Sequence, residues 1–171
     1  IDSGWWGLGP KTAEFEQKFA EYIGTKYAIA LNSATAALHF ALMCIGVKDA
    51  EVISPSMTFV STNHAILYND GIPVFCDIEP ENLNVTAENI NKLVTNRTKA
   101  IIVVHYGGYS CEMDPIMELA KEHNLYVIED CAHACGGKYK GKMLGSIGDF
   151  GSFSFQAVKN LSTGDGGMLT T

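Results

Sequence analysis

Positive charge is scarce in this sequence: 12 lysines and arginines stand against 19 aspartates and glutamates, a net charge of −7. That balance speaks against general affinity for nucleic acid or an anionic membrane surface. It leaves room for a local anion site, because backbone amides can hold a phosphate without net positive charge. No apolar run reaches the roughly 20 residues of a membrane helix, and no signal-peptide pattern opens the chain. A Gly-x4-Gly-Lys-Ser/Thr loop and a Gly-x-Gly-x-x-Gly turn after the first strand are both missing, which counts against a nucleotide-binding α/β domain of the common kinds. Cysteines number five, an odd count without framework spacing, so free thiols and a cytoplasmic location are expected. Cys131-x-His133-x-Cys135 lacks the second ligand cluster that a metal site of that kind needs, and no metal is expected.

What is present is a globular composition. With 171 residues, 47% apolar and 18% charged, the chain can bury the core of one domain. It opens at Ile1 and stops at Met168-Leu-Thr-Thr171, inside a strand-like run, so a piece of a longer protein is expected. Residues 1–10, rich in Gly and Trp, read as an irregular arm. Phe15, Phe19 and Tyr22 have helical spacing over 11–23, with Gly24 as the stop. Tyr27–Leu31 is strand-like, and Asn32-Ser-Ala-Thr35 opens a helix to about Ile45 with Ala36, Ala37, Phe40 and Ala41 expected inside. Strands are expected at 51–54, 74–78, 100–104, 126–130, 150–155 and 167–170. Helices are expected at 58–69, 87–94 with Thr86 as cap, and from an Asp114 cap to His123. The alternation predicts an α/β fold: a mainly parallel sheet with helices on both faces, the last two strands antiparallel or joined by a tight turn, and ligands beyond the carboxyl ends of the strands.

Three of those strand ends carry groups suited to chemistry. Asn32-Ser33-Ala34-Thr35 leads into a helix whose free amides favour a phosphate, although Ser33 could simply cap the helix. Asp130 ends an apolar strand, where a carboxylate needs a cationic or hydrogen-bonding partner, or else serves as a cap. The segment from Ser154 to Lys159, followed by Gly164-Asp-Gly-Gly167, delivers a hydroxyl and then an amine that a carbonyl can trap as a Schiff base. An anchor for a phosphate, a partner for a pyridine nitrogen and a covalent tether are together what pyridoxal 5'-phosphate requires. Phe59 could form a flat wall for such a ring or belong to the core.

In order and spacing, these segments resemble the DegT/DnrJ/EryC1/StrS family of sugar aminotransferases, pyridoxal-phosphate enzymes of the aspartate-aminotransferase fold. The likeness runs through Gly9-Pro10 with Glu14-Phe15-Glu16, Ser33-Ala-Thr-Ala-Ala-Leu38, Pro55-Ser-Met-Thr-Phe59, Pro73-Val-Phe75 with Asp77, and His105-Tyr106 with Met113-Asp114. It is most specific at Ile128-Glu-Asp-Cys-Ala-His133 and at Phe153-Ser-Phe155 with Lys159-Asn-Leu161 and Gly164-Asp-Gly-Gly167.

The resemblance implies that residues 1–171 are the large, cofactor-binding domain, without the family's small C-terminal domain. It implies Lys159 as tether and proton carrier, Asp130 as partner of the pyridine nitrogen, and Ala34, Thr35 and Ser154 around the phosphate, beside Ser33. Phe59 would stack on the ring and His133 would lie near its face or its hydroxyl. Ala34 stands where the family often has glycine, a change tolerable if the contact is through the amide. The function so implied is transfer of an amino group from an amino acid, with glutamate expected, to a keto nucleotide-sugar, in a homodimer whose subunits complete each other's sites. A sugar dehydratase of the same family would carry histidine in place of Lys159; a regulatory relative without turnover is the other alternative.

Overall fold

Short β-branched runs separated by amphipathic helices give the alternation its structural form. In the computed structural model, which describes residues 4, 5 and 7–171, the order is α1 (Pro10–Ile23), β1 (Ala28–Leu31), α2 (Ala34–Ile45), β2 (Glu51–Pro55), α3 (Val60–Tyr68) and β3 (Ile72–Cys76). There follow α4 (Ala87–Asn91), β4 (Thr98–Val104), α5 (Met113–His123), β5 (Tyr126–Asp130), a small hairpin of β6 (Lys138–Tyr139) and β7 (Lys142–Met143), β8 (Phe150–Ser154) and β9 (Gly167–Thr170). Residues 1–3 and Trp6 of the amino-terminal arm lie outside the described residues. No helix among the described residues is long and apolar enough to cross a membrane.

Seven strands form one sheet in the order β1-β9-β8-β5-β4-β2-β3. The pairs β2–β3, β2–β4, β4–β5 and β5–β8 are parallel, whereas β9 runs antiparallel to both β8 and β1. The sheet is therefore mainly parallel, and the last two strands are antiparallel neighbours, as expected. Helices cover both faces. On one side α2 and α3 pack through Ala37, Leu38, Ala41, Leu42, Ala65 and Ile66 onto Val52, Ile102, Ile128 and Leu169. On the other, α1, α4 and α5 press Phe19, Ile23, Ile90, Met113 and Ile116 onto Ile53, Ile101, Val103, Val127 and Phe153. Ala100–Val104, buried along its length, is the strand covered on both faces that its composition predicts.

Some details differ from the sequence-based expectation. Successive α2 residues turn by about 100°, so the buried stripe is Ala34, Ala37, Leu38, Ala41, Leu42 and Ile45; Ala36 is only half-buried and Phe40 is exposed. Asp114 does not cap α5. Glu112 holds the N-cap position, and the Asp114 carboxylate instead accepts from Lys140 Nζ at 2.6 Å. The strand expected at 74–78 sits two residues earlier, because Ile72 and Pro73 already pair with β2. Thr86 does cap α4, its hydroxyl accepting from the Asn89 amide at 3.2 Å.

Candidate active site

Parallel strands aim their carboxyl ends at one edge of the sheet, and the loops leaving β1, β2, β4, β5 and β8 meet there around a cavity of about 440 Å³. That volume falls in the range of small-molecule and cofactor sites. The eight residues singled out from the sequence, Ser33, Ala34, Thr35, Phe59, Asp130, His133, Ser154 and Lys159, all line it.

One wall is the start of α2. Ser33 Oγ accepts from the Ala36 amide at 3.2 Å and donates to Asn32 Oδ1 at 3.0 Å, so Ser33 does cap the helix. Its cap leaves other first-turn amides without intrahelical partners, which is the feature that favours an anion at a helix start. The helix start is braced from beneath: Ser152 Oγ donates to the Ala34 carbonyl at 3.0 Å. Gly167 on β9 passes so close that a Cβ there would sit 2.2 Å from the Ser33 carbonyl carbon. Ser154, half-buried at the end of β8, faces the same cavity.

Asp130 closes the floor. Its side chain is buried, with Oδ2 accepting from the Thr62 hydroxyl at 2.8 Å and Oδ1 from the Ala132 amide at 3.1 Å. Burial pushes its carboxyl above the usual aspartate range, against the pull of those two donors and of the nearby histidines 133 and 105. Lys159, half-buried, stands in the turn after β8. That turn is fastened by the Lys159 amide on the Gln156 carbonyl at 2.9 Å and by Asn160 Nδ2 on the Cys135 carbonyl at 2.7 Å. Gln156 is used locally, its Oε1 accepting from the Val158 amide at 3.0 Å. His133 Nδ1 accepts from the Gly107 amide at 3.4 Å, which leaves Nε2 to carry the proton of the neutral ring. Partial desolvation, followed by the charge of Lys159, holds that imidazole below its ordinary value. Phe59 is not core: it is 71% exposed at the N-terminal end of α3, on the rim of the cavity.

A lysine, a buried aspartate and a helix start thus share one cavity. The family model described as the DegT/DnrJ/EryC1/StrS aminotransferase family matches residues 1–171. The chain belongs to that family. It is 49% identical over 172 residues to the spore coat polysaccharide biosynthesis protein SpsC of Bacillus subtilis, covering all of this chain and 44% of SpsC. To the GDP-perosamine synthase of Caulobacter vibrioides it is 46% identical, covering all of this chain and 47% of that enzyme. The PMP form of Spr1654 from Streptococcus pneumoniae superposes with a TM-score of 0.93 at 37% identity, over 99% of this chain and 47% of that one, and a PLP form is also solved. The chain thus spans less than half the length of each relative.

Within this DegT/DnrJ/EryC1/StrS chain, several supporting residues had no role assigned from the sequence, although Thr58, His105 and Glu129 lie inside the matching segments. Thr62 on α3 is fully buried and reaches Asp130 at the end of β5, 68 positions away. Thr58, four residues before it, faces the cavity and lies 2.8 Å from Thr62, oxygen to oxygen. Behind β5, His105 Nε2 meets Glu129 Oε2 at 3.0 Å. Glu129 also accepts from the amides of Gly145, Ile147 and Gly148 at 2.9, 2.7 and 2.7 Å. His105, Glu129 and Cys131 bring potential ligand atoms within 4.8 Å of one another. Both ring nitrogens and both carboxylate oxygens are already engaged in hydrogen bonds, with His105 Nδ1 accepting from the Cys111 amide at 3.2 Å.

Proposed function

We propose that residues 1–171 are the cofactor-binding large domain of a pyridoxal-phosphate-dependent aminotransferase. It moves an amino group, with glutamate as the expected donor, onto a keto group of a nucleotide-linked sugar. The observation that carries this reading is the meeting of Lys159, Asp130 and the start of α2 around a single cavity at the carboxyl ends of the strands. The named relatives support the sugar as acceptor: one is a polysaccharide biosynthesis protein and another makes GDP-perosamine.

The residues fit the cofactor by the chemistry of their donor set. Amides at Ala34 and Thr35, beside Ser33, with the hydroxyl of Ser154, suit a phosphate dianion. Asp130, as the carboxylate, suits a protonated pyridine nitrogen, whose charge would offset the cost of its burial. Phe59 offers a flat apolar face, His133 an Nε2–H donor, and Lys159 an amine for covalent attachment. When bound, the group supplies an electron sink for the pair left on the donor's α-carbon as its proton departs. Lys159, as a free amine, would be the base placed to take that proton and deliver it to the cofactor carbon that bears the nitrogen. Asp130 keeps the sink charged by leaving the nitrogen its proton.

In this reading the protein works in the cytoplasm, in keeping with its five free thiols, and as a homodimer. Trp5 at 62% and Leu8 at 79% exposure put apolar surface on the amino-terminal arm that a second copy would cover. The test is borohydride reduction of the full-length protein with added pyridoxal phosphate, followed by peptide mapping and assay against keto nucleotide-sugars with glutamate. The label is expected on Lys159, with amino-sugar formed. A label on Lys138, Lys140 or Lys142 instead would end the assignment.

A further inference from the structure

We infer that Thr62, with Thr58 behind it, is a positioning pair that decides where the proton between Asp130 and a bound pyridine nitrogen rests. This rests on the pyridoxal-phosphate reading above and adds to it two residues other than those assigned to the phosphate and the tether. Thr62 is fully buried, and its one hydroxyl hydrogen goes to Asp130 Oδ2 at 2.8 Å. With that hydrogen committed, the Thr62 oxygen can only accept from Thr58, 2.8 Å away. The chain therefore runs in one direction, from a hydroxyl on the cavity wall, through a buried hydroxyl, to the carboxylate on the floor. Each donor polarises the next, so the last bond in such a chain is stronger than an isolated one.

The direction matters because Asp130 has few other supports. Ala132 donates one amide at 3.1 Å, while burial favours the protonated acid. The titratable groups around it are few: His133, Lys159 and Asp165 line the same cavity, and His105 lies behind the strand, engaged with Glu129. Removing the Thr62 donor makes the carboxylate more basic. The proton shared with the ring nitrogen then moves onto Asp130, leaving an uncharged acid and an uncharged pyridine, the poorer sink. The Thr58 hydroxyl loses its acceptor in the same change, so Thr58→Val, which leaves the Thr62–Asp130 bond in place, separates the two contributions. Thr62 sits on α3 where a hydrogen-bonded hydroxyl is otherwise hard to explain, since valine would fill the same volume without a polar atom to satisfy.

The experiment uses the full-length holoenzyme loaded with pyridoxal phosphate labelled with ¹⁵N at the ring nitrogen, whose resonance separates protonated from neutral pyridine. Wild type and Thr62→Ser are expected at the protonated position, Thr62→Val displaced toward the neutral one, and Thr58→Val displaced less in the same direction. Amino transfer should fall about tenfold in Thr62→Val, the worth of a hydrogen bond to a charged group, and recover in Thr62→Ser. An unmoved resonance in Thr62→Val, or a displacement in Thr62→Ser as large as in Thr62→Val, overturns the inference. Should Thr62→Val fail to fold, Thr58→Val decides, and an unmoved resonance there overturns it. Failure of wild type to reduce onto Lys159 defeats the cofactor reading itself, a result distinguishable from a fixed resonance in a labelled enzyme.

Discussion

Glu129 and Asp130 are consecutive residues of β5, both acidic and both buried, yet they live in opposite circumstances. Alternation along the strand turns them to opposite faces. Glu129 points away from the cavity and collects the His105 ring and the amides of Gly145, Ile147 and Gly148. Burial alone would raise its carboxyl, but His105 and those amides outweigh it and hold the group below the ordinary glutamate range. Asp130 points to the cavity, has Thr62 and the Ala132 amide, and is raised. The saturated carboxylate ties down the 145–148 loop; the under-supported one keeps capacity for a cationic partner. Coordination by donors, more than burial, separates the acid held low from the acid held high.

The sharpest way to break this comparison is to remove one charge at a time. Asp130→Asn should lower amino transfer by the full-length enzyme by about a thousandfold, because a neutral ring is a poor sink. Urea denaturation of the cofactor-free protein should show a stability change under about 1 kcal/mol, since the raised carboxyl gains nothing from its charge there. Glu129→Gln should do the reverse, costing about 3 kcal/mol of stability through a buried network left partly unpaired, while the visible spectrum of bound cofactor stays as in wild type.

The same contrast has a pH arm. A carboxyl lowered in the folded state contributes stability that is whole above its unfolded value, about 4.3 for glutamate, and is lost as pH falls through the folded value. Wild type should therefore lose stability on acidification below about pH 4 more steeply than Glu129→Gln, measured as denaturation midpoint against pH. Asp130, raised when folded, contributes with the opposite sign: protonation relieves it. A flat difference between the two profiles would remove Glu129 from its structural role.

Smaller effects test the wall of the cavity. Gly167→Ala forces a methyl against the Ser33 backbone, which should cost about 2 kcal/mol and weaken pyridoxal-phosphate uptake in an equilibrium titration. Ala34→Gly is expected to matter least, about 1 kcal/mol or less from helix propensity, with cofactor uptake nearly unchanged if the contact there is made by the amide.

Much of this was open to reading in one dimension because it rests on local periodicity. The β-branched run at 100–104, the Ser33 opening of α2 and the strand-end position of Asp130 are written in neighbouring residues, and each stands where its pattern put it. Boundaries were read less well. The expected Asp114 cap ignored a competitor, Lys140, 26 positions away, and the start of β3 depended on pairing with β2. Phe40 shows the same limit from the other side: apolar character argued for the interior, while the angle around α2 left it on the surface.

The sequence by itself determined the α/β alternation, the cavity residues on the strand ends, and, through the order of its motifs, the family. Only the tertiary structure decided that Thr62 and the Ala132 amide donate to Asp130, that His105 and three loop amides saturate Glu129, and that Gly167 passes under the start of α2. The reason is physical. A helix or strand is set by interactions a few residues apart, whereas the state of a buried carboxylate depends on how many donors reach it. Those donors arrive from segments that only packing brings together.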